Sequence, residues 1–414
     1  MISALASMLA LPLLCLFTLA TAAGNVTITK TGNTLECVVF AIGNQEDDVP
    51  NIKEAFDTCG SNGGVVTFPG SETYWIASRL NPVFDGVHIE WYGTWQFSDN
   101  LTYWRNNGYP VAFQNHQAGF VITGSNIHIS GGGTGGIDGN GNAWYDAEEA
   151  MTQPGRPMPF VFWNVTDVTV TDFFIKDPPL WSVNIMNGSN MHFSNIYVNA
   201  TSINAPYGTN WVQNTDGFDT MDSTNIWLDG FVYEGGDDCI AIKPRSYNIN
   251  INNVTCNGGN GVAIGSLGQY LEDSSVENVQ ITNVKVVPSK SGVGPVNGAY
   301  IKTWIGSLAL QPNTSNGAYE SGFVPRGGGW GVVRNLLFAN FTLDETVVGT
   351  AISQTSGRVA NMSYEQSKMQ VSNVAFVNFT GTVNSTKAWN SLSCSTTHPC
   401  YNIAYENVVN STIG

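Results

Sequence analysis

Two acidic clusters hold the residues of this 414-residue chain that are best placed to do chemistry. They are Asn214-Thr215-Asp216-Gly217-Phe218-Asp219 and Gly235-Gly236-Asp237-Asp238-Cys239. The interval from Asp216 to Asp238 equals the interval from Asp238 to Asn260. Carboxylates crowded at short range raise the pKa of at least one of them, and proteins keep such clusters for acid/base chemistry or for metals. Because Asp and Gly also mark ordinary turns, the clusters gain meaning only if the fold brings them together.

A short phrase recurs along the chain and predicts that fold. A turn residue and an Asn or Asp are followed each time by alternating apolar residues, at 125–129, 166–170, 189–193, 224–228, 247–251, 277–281, 334–338 and 372–376. The tightest spacing between phrases is about 23 residues, which lies in the range of solenoid repeats. Short alternating strands with Asn and Gly at the corners, repeated at this period, favour a β-solenoid. A helical solenoid would need long segments of period 3.6, and propeller blades need about 40–45 residues each.

We therefore expect an all-β fold, a right-handed parallel β-helix in one domain with a packed interior. Neighbouring coils lie about 4.8 Å apart, so residues one coil apart stack on the same outer face. Asp216, Asp237 and Asp238 should crowd one patch, with Asn260 one coil away. We expect no metal, because the sequence lacks the D-x-[DN]-x-[DN]-G loop of calcium sites and the C-x-x-C and H-E-x-x-H motifs of zinc sites.

With these motifs the chain resembles glycoside hydrolase family 28, the polygalacturonases, rhamnogalacturonases and related pectin hydrolases, and especially its fungal exo-acting members. The motifs of that family are N-T-D, D-D, G-H-G and R-I-K, in this order along a right-handed parallel β-helix. They match Asn214-Thr215-Asp216, Asp237-Asp238, Gly259-Asn260-Gly261 and Tyr300-Ile301-Lys302. The resemblance covers essentially the whole mature chain.

The resemblance implies inverting hydrolysis that needs no cofactor. Asp237 would be the general acid that protonates the leaving oxygen. Asp216 and Asp238 would hold and deprotonate the attacking water. Inversion needs carboxyl groups about 6.5–9.5 Å apart, and stacked coils could supply that separation.

Two positions depart from the family pattern, since Asn260 replaces His and Tyr300 replaces Arg. Asn forms hydrogen bonds but carries no charge, and Tyr offers one hydroxyl instead of paired cationic donors. Lys302 remains, so we expect one contact to a substrate carboxylate. Trp304 is a candidate for stacking on a sugar, with ordinary packing as the alternative. Lys243 either contributes positive charge at the site or is structural.

A further segment bears on chain-end attack. Residues Tyr103–Tyr109, continuing to Phe113-Gln114-Asn115, resemble an insertion of exo-acting members. A bulky aromatic loop there would close one end of the groove and leave a pocket. The alternative is a surface loop that packs on the solenoid and never touches sugar.

The first residues predict secretion. Residues 1–23 carry no charge, and the apolar run Leu9–Leu19 is followed by the small residues Ala20-Thr21-Ala22. This is typical of a signal peptide, and the run is shorter than the roughly 20 residues of a membrane span. We expect a leader at 1–23, a β-helix domain with terminal caps at 24–414, and an extracellular protein free of the membrane.

Six cysteines remain after the leader is removed. Sequence proximity suggests the pairs Cys37–Cys59, Cys239–Cys256 and Cys394–Cys400, one of about 15 possible connectivities.

Composition and sequons agree with that location. N-x-S/T sequons, each a predicted glycosylation site, occur at Asn25, Asn100, Asn164, Asn187, Asn199, Asn253, Asn313, Asn340, Asn361, Asn378, Asn384 and Asn410. A net charge of −16 excludes a nucleic-acid binder. It also opposes long-range attraction of acidic pectin, so lysines at the site would have to dominate there. We expect a monomer.

The predicted function is exo-acting hydrolysis of pectic poly- or oligosaccharides. Our first expectation is release of terminal α-L-rhamnose from rhamnogalacturonan-type chains, because rhamnose has no carboxylate for the missing Arg and His to bind. The alternative is a galacturan 1,4-α-galacturonidase (exopolygalacturonase) that releases terminal galacturonate. Two further classes are a calcium-dependent lyase on the same fold and a non-catalytic pectin-binding β-helix, which the paired Asp clusters disfavour.

Overall fold

The structure is a computed structural model that describes residues 21–149, 155–308, 325–358, 363–384, 389–408 and 411–412. The predicted leader lies outside these residues except for 21–23, as do the sequons at Asn313, Asn361 and Asn410. No helix among the described residues is long and apolar enough to cross a bilayer.

The described chain is mostly strand, with three short helices. The helices are α1 (Val49–Cys59), α2 (Leu101–Asn107) and α3 (Asn142–Glu148), with a single 3₁₀ turn at Phe113–Asn115. The strands of the N-terminal third are β1 (Thr21–Ala23), β2 (Val26–Thr31), β3 (Thr34–Val39), β4 (Ser61–Phe68), β5 (Thr73–Ile76), β6 (Val83–Trp91), β7 (Thr94–Phe97), β8 (Tyr109–Val111), β9 (His116–Ala118), β10 (Val121–Ser130), β11 (Gly136–Asp138) and β12 (Pro157–Met158). Those of the central part are β13 (Phe160–Lys176), β14 (Val183–Asn199), β15 (Phe218–Met221), β16 (Ser223–Gly235), β17 (Asp238–Ile242), β18 (Ser246–Gly258), β19 (Gly261–Leu267), β20 (Val276–Val287) and β21 (Asn297–Trp304). The last strands are β22 (Trp330–Thr346), β23 (Val348–Ser356), β24 (Lys368–Val383), β25 (Asn390–Ser393), β26 (Tyr401–Val408) and β27 (Ser411–Thr412).

Strands stack in parallel from one coil to the next, which confirms the predicted β-helix. Long strands pair in the order β4, β6, β10, β13, β14, β16, β18, β20, β22, β24, β26. Shorter strands form a second face in the order β15, β17, β19, β21, β23, β25. Antiparallel pairing occurs, among the described strands, in the β1–β2–β3 hairpins and in β8–β9.

The recurring Asn residues turn the corners, as their sequence context predicts. Asn190, Asn225, Asn248 and Asn278 all have φ of 55–58°, the left-handed region that Asn tolerates better than most residues. Each amide donates to the corner residue of the preceding coil, at 3.2, 3.0, 3.1 and 3.1 Å respectively. The ladder continues through Asn335, Asn373 and Asn402. These bonds hold the corners in register, so the strands that carry the site stay aligned.

The interior is filled by stacked apolar side chains. Phe338, Phe376 and Tyr405 stack on consecutive coils with ring centroids 5.1 and 5.2 Å apart. Three disulfides join the pairs that sequence proximity suggested, Cys37–Cys59, Cys239–Cys256 and Cys394–Cys400. The first fixes α1 against β3 at the N-terminal end. The second links β17 to β18, directly behind the Asp237–Asp238 cluster.

The sequon asparagines within the described residues all lie at least partly at the surface. Asn25 and Asn199 are half-buried, and the others are exposed: Asn100, Asn164, Asn187, Asn253, Asn340, Asn378 and Asn384. Their use as glycan acceptors remains a prediction.

Candidate active site

The site lies on the outer face formed by the short strands β15 to β23. Residues paired across these strands occupy one row, Asp219, Ala241, Ala263, Tyr300 and Ala351. Because side chains alternate between the two sides of a strand, every second residue points outward from the packed core. Asp216 and Asp237 lie just before β15 and β17, where the chain enters this face.

Asp216, Asp237 and Asp238 meet in one cluster. One carboxylate oxygen from each lies within 4.8 Å of those from the other two. Asp216 and Asp238 are buried at 3% and 1% exposure, whereas Asp237 is half-buried. The three carboxylates therefore crowd one patch, as their spacing along the sequence predicts.

Asp237 accepts hydrogen bonds at both carboxylate oxygens. The backbone N–H and side-chain Nδ2 of Asn214 donate to its Oδ2 at 3.0 and 3.1 Å. The Nδ2 of Asn260 and the backbone N–H of Asp238 donate to its Oδ1, both at 2.9 Å. Burial first, and then the negative charge of Asp238, raise the pKa of Asp237 above its ordinary value. Asn260 thus contacts the predicted acid directly, although it cannot carry the charge of a histidine.

Asp238 is bound by two residues of the last motif. Lys302 Nζ donates to its Oδ2 at 2.9 Å, and the Tyr300 hydroxyl donates to its Oδ1. Lys302 also donates to the Tyr300 oxygen at 3.0 Å. The ring of Tyr300 packs on Ala241 and Ala263, whose small side chains leave room for it to reach back across the face. Tyr300 therefore replaces a cationic donor with a neutral one that is directed at a carboxylate of the site.

Lys243 lies between Asp216 of the cluster and a further carboxylate, Asp219. Its Nζ lies 3.2 Å from Asp216 Oδ2 and 3.7 Å from Asp219 Oδ2, and its side chain is 4% exposed. Burial raises the pKa of Asp219 to about 7, against the opposing effect of Lys243. Burial and the neighbouring Asp219 charge raise the pKa of Asp216 well above its ordinary value. The two carboxylates and the ammonium between them therefore titrate as one group rather than independently.

Asp216 and Asp219 also keep carboxylate oxygens without hydrogen-bond partners among the described residues. These are Oδ1 of Asp216 and both oxygens of Asp219, apart from the ion pair of Asp219 with Lys243. A buried carboxylate oxygen without a donor is costly, and a bound water or sugar hydroxyl would supply that donor.

One oxygen of each carboxylate lies within 4.8 Å of an oxygen of each of the other two. The separation of about 6.5–9.5 Å expected for inversion applies to whole carboxyl groups and stays a prediction. A water that makes hydrogen bonds of about 2.7–2.8 Å to two carboxylate oxygens fits between oxygens that lie within 4.8 Å of each other. The arrangement can therefore hold one water between a carboxylate oxygen of Asp216 and one of Asp238. Three such oxygens could also ligate a cation, but Lys243 and Lys302 already supply positive charge to two of them.

The predicted insertion divides into two parts with different positions. Its first part is α2, where Trp104 is fully buried and packs on Phe97 at 5.1 Å between ring centroids. Its second part, the β8–β9 hairpin, reaches the site. Gln114 donates from its Nε2 to Gln269 at 3.0 Å and from its backbone N–H to the Tyr270 hydroxyl at 2.9 Å.

A chain of contacts joins that hairpin to the carboxylates. The His116 and Trp181 rings meet edge to face at 4.6 Å, and Lys243 Nζ lies 4.0 Å from the centroid of the same indole. Burial, and then the positive charges of Arg156, Lys243 and Arg326, lower the pKa of His116 to about 3. The imidazole is therefore neutral at pH values well above 3. The hairpin and the 269–270 turn together form a wall beside Lys243.

Trp304 lies apart from this cluster. It follows Lys302 on β21 after a shift in register, is 8% exposed, and packs against Gly357. This geometry favours packing over the sugar-stacking role.

Sequence reasoning missed four residues of the site. Asn214 and Asp219 stand in the first acidic motif, but the motif comparison gives a role there to Asp216 alone. Tyr233, whose hydroxyl bonds the backbone N–H of Asp237 at 3.0 Å, and Arg156, which bonds Asn214 at 3.1 Å, lie outside every motif.

Comparison with known proteins supports the same family. The model for glycosyl hydrolases family 28 matches residues 66–319 and 324–413. A protein of Aspergillus niger, provisionally named galacturan 1,4-alpha-galacturonidase C, is 63% identical over 90% of this chain and 86% of its own length. A protein of Cochliobolus carbonum named exopolygalacturonase is 33% identical over 90% of this chain and 80% of its own length.

Solved structures agree on the fold. The endo-xylogalacturonan hydrolase of Aspergillus tubingensis superimposes with a TM-score of 0.77 at 25% identity, over 91% of this chain and 93% of that one. The polygalacturonase of Erwinia carotovora gives a TM-score of 0.57 at 17% identity, over 92% and 96%.

Proposed function

The chain belongs to glycosyl hydrolases family 28, and from this premise we propose that it releases terminal galacturonate from the non-reducing ends of pectic galacturonan chains. The observation that carries the proposal is the likeness to relatives named as galacturonidases and exopolygalacturonases over nine-tenths of the chain. These comparisons favour the galacturonate alternative and give no support to our first expectation of rhamnose release. The missing Arg at position 300 is a weak guide to the substrate, because Tyr300 and Lys302 act together.

The lysines suit an acidic sugar. The side chain of Lys302 is 24% exposed beside Asp238, so its ammonium can contact a carboxylate in the groove as well as Asp238. Lys243 adds positive charge beneath the cluster, although it is buried. Because Lys243 is paired with Asp216 and Asp219, the contact to a substrate carboxylate in this protein of net charge −16 falls to Lys302.

The proposed reaction uses the three aspartates in distinct roles. Asp237 transfers its proton to the glycosidic oxygen as the bond from that oxygen to the anomeric carbon breaks. Burial supports this role, because it raises the pKa of Asp237 and so favours the protonated form. Water held between Asp216 and Asp238 attacks the anomeric carbon and gives its proton to one of them. Attack from the face opposite the leaving group inverts the configuration.

The wall beside Lys243 supports attack at a chain end. The β8–β9 hairpin bonds to the 269–270 turn and reaches Asp216 through Trp181 and Lys243. A polymer could not continue past a wall at that position, so one terminal residue would occupy the space beyond the cleaved bond. Exo attack is thus part of the proposal.

Secretion also belongs to the proposal, since its support is the charge-free N-terminal run and the exposed sequons. The domain limits of 24–414 are likewise part of the proposal, with α1 and the β2–β3 hairpin covering one end of the coil stack. At the other end, β25 and β26 extend the two faces of the stack.

Product analysis on two substrates tests the proposal. The protein is incubated separately with oligogalacturonates and with rhamnogalacturonan oligomers that end in rhamnose, and products are separated by anion-exchange chromatography. We expect free galacturonate from the first and no free rhamnose from the second. Free rhamnose alone would reverse the assignment, and an unsaturated product lost on chelation would indicate a lyase. Binding without any product would indicate a non-catalytic protein.

The stereochemical outcome is tested separately. Proton NMR during the first turnovers shows which anomer of galacturonate forms before mutarotation. We expect the β-anomer from an α-linked chain. First formation of the α-anomer would indicate retention and would contradict the proposed inversion.

A further inference from the structure

A buried arginine stands behind the predicted proton donor. Arg156 is 3% exposed and lies just before β12, outside every motif of the sequence. Its Nη1 donates to the backbone carbonyls of Pro179 at 3.0 Å and Gln213 at 2.7 Å. Its Nε lies 3.4 Å from Oε2 of Glu148, a carboxylate that is itself only 4% exposed. These contacts fix the guanidinium in one orientation.

The remaining guanidinium nitrogen contacts the residue that holds Asp237. Nη2 of Arg156 donates to Oδ1 of Asn214 at 3.1 Å. The other end of the same amide, Nδ2, donates to Oδ2 of Asp237 at 3.1 Å. Arg156 therefore reaches Asp237 through a single side-chain amide.

We propose that Arg156 is a positioning residue that fixes the orientation of the Asn214 amide and thereby keeps its Nδ2 directed at Asp237. An asparagine amide has a donor end and an acceptor end of nearly equal size, so its orientation depends on its partners. A guanidinium only donates, so only Oδ1 can face it. In the reversed orientation two donors would meet at Arg156 and two acceptors would meet at Asp237. Both contacts would be repulsive, so Arg156 permits a single orientation of the Asn214 amide.

Glu148 completes the arrangement by neutralising the arginine. A lone buried guanidinium is costly, and Glu148 supplies its counter-charge from the last turn of α3. Arg105 of α2 reaches the other oxygen of Glu148 at 3.7 Å, between its Nη2 and Oε1. Arg105→Met removes the second cation from the same carboxylate, so it is the matched control for Arg156.

The charged and titratable groups near this arrangement are few and can be named. Those near Asp237 are Asp216, Asp219, Asp238 and Lys302, with the hydroxyls of Tyr233 and Tyr300. Those around Arg156 are Glu148, which Arg105 shares, Tyr145 and His116.

The amide orientation sets the sign of the expected effect. Two amide donors, Asn214 and Asn260, favour ionised Asp237 and oppose the effect of burial. If Asn214 turned over, its oxygen would instead accept a proton from neutral Asp237, which raises the pKa of that carboxyl.

The experiment is a titration of Asp237 in the full-length protein without substrate. Aspartate is labelled with ¹³C at the carboxyl, and Asp237 is assigned by its absence in Asp237→Asn. We expect Arg156→Met to raise the measured pKa by about one unit, the tenfold effect of losing one hydrogen bond to a charged group. Arg105→Met should leave it unchanged. In an Asn214→Ala background, Arg156→Met should have no further effect.

Kinetics supply a second readout. In Arg156→Met the basic limb of the pH profile of kcat should move upward with the pKa, while KM stays close to that of the wild type, because Arg156 is buried away from the groove. If Arg156→Met does not fold, Arg156→Lys keeps the charge but has one nitrogen in place of Nη1 and Nη2, and it should shift the pKa in the same direction.

An unchanged Asp237 pKa in a folded Arg156 variant would overturn the positioning role. A shift of equal size in the Asn214→Ala background would also overturn it, since the arginine would then act by direct charge. The functional meaning rests on Asp237 being the proton donor proposed above. The titration needs no substrate, so the positioning role and the choice of sugar fail independently.

Discussion

Asp219→Asn is the substitution that probes the shared lysine most sharply. Lys243 Nζ lies 3.2 Å from Asp216 Oδ2 and 3.7 Å from Asp219 Oδ2, so these two distances limit how far apart the two oxygens can be. With an effective dielectric constant of about 20, two unit charges at that limit of about 7 Å repel by about 2.4 kcal/mol. That energy corresponds to about 1.7 pH units.

The sign follows from the role of each group. The negative charge of Asp219 raises the pKa of Asp216, after the larger effect of burial. Removing it lowers that pKa, and Lys243 then serves Asp216 alone, which acts in the same direction. Asp216 must be ionised to accept a proton from water. The acidic limb of kcat/KM should therefore move to lower pH by about 1–2 units, in the range set by the repulsion of about 2.4 kcal/mol.

Stability provides an independent check. Burial raises the folded pKa of Asp219 to about 7, whereas an unfolded chain has about 3.9. When a carboxyl has a higher pKa in the folded protein than in the unfolded chain, the protein becomes less stable as the pH rises from the unfolded pKa to the folded pKa. The wild type should therefore lose stability between about pH 4 and pH 7 because of this group. Asp219→Asn should not, so its stability relative to wild type should grow with pH.

The kinetic and the stability measurements use the same protein preparations. Initial rates of galacturonate release are measured from pH 3 to pH 8, and unfolding is followed by circular dichroism in denaturant over the same range. Asp229→Asn is the matched control, because Asp229 is an exposed aspartate that accepts from Asn252 in a corner ladder. An acidic limb that stays in place, or that moves to higher pH, would refute the proposed coupling of Asp219 to Asp216 through Lys243.

Three further results follow from the same geometry. Asp237→Asn should lower kcat by at least about 100-fold, the usual contribution of a general acid, with unfolding unchanged; rates near wild type would remove Asp237 from that role. Lys302→Ala should raise KM on substrates with a carboxylate beside the cleaved bond, and KM values unchanged from those of the wild type on all of these substrates would exclude that contact. Chelation by EDTA should leave the rate unchanged, because Lys243 and Lys302 supply the positive charge that a cation would bring; a metal-restored loss of activity would contradict this.

The fold could be predicted because it depends on local rules repeated many times. Asn at a corner needs left-handed backbone and a partner in the next coil, and both requirements recur at Asn190, Asn225 and Asn248. Equal spacing then implies stacking, and stacking alone is enough to bring Asp216, Asp237 and Asp238 together. The same rule placed Asn260 beside Asp237.

The remaining site residues depend on contacts that spacing does not encode. Tyr300 bonds to Asp238 only because Ala241 and Ala263 leave space for its ring. Arg156 reaches Asn214 from 58 positions earlier in the chain, on a segment that is not part of the repeat. One feature of the sequence could have indicated Asp219. It is an acidic residue in a buried strand that begins with Phe218 and ends with Met221.

The substrate was the least predictable feature. The absence of the family Arg at position 300 and of the family His at position 260 favoured a sugar without a carboxylate, but two residues do not determine the charge of a whole site. Lys302 keeps a partly exposed ammonium next to Asp238, and Lys243 lies beneath the same cluster. The choice of sugar depends on their combined field, which a motif comparison does not measure.

The most direct test of the central claim is the first cut in an oligogalacturonate labelled at its reducing end. A labelled pentamer is sampled at early times and its labelled products are separated by length. We expect the labelled tetramer to appear first and the trimer to follow, with free galacturonate released in equal amount. A mixture of labelled products from the outset, or a labelled monomer as the first product, would contradict attack at the non-reducing end.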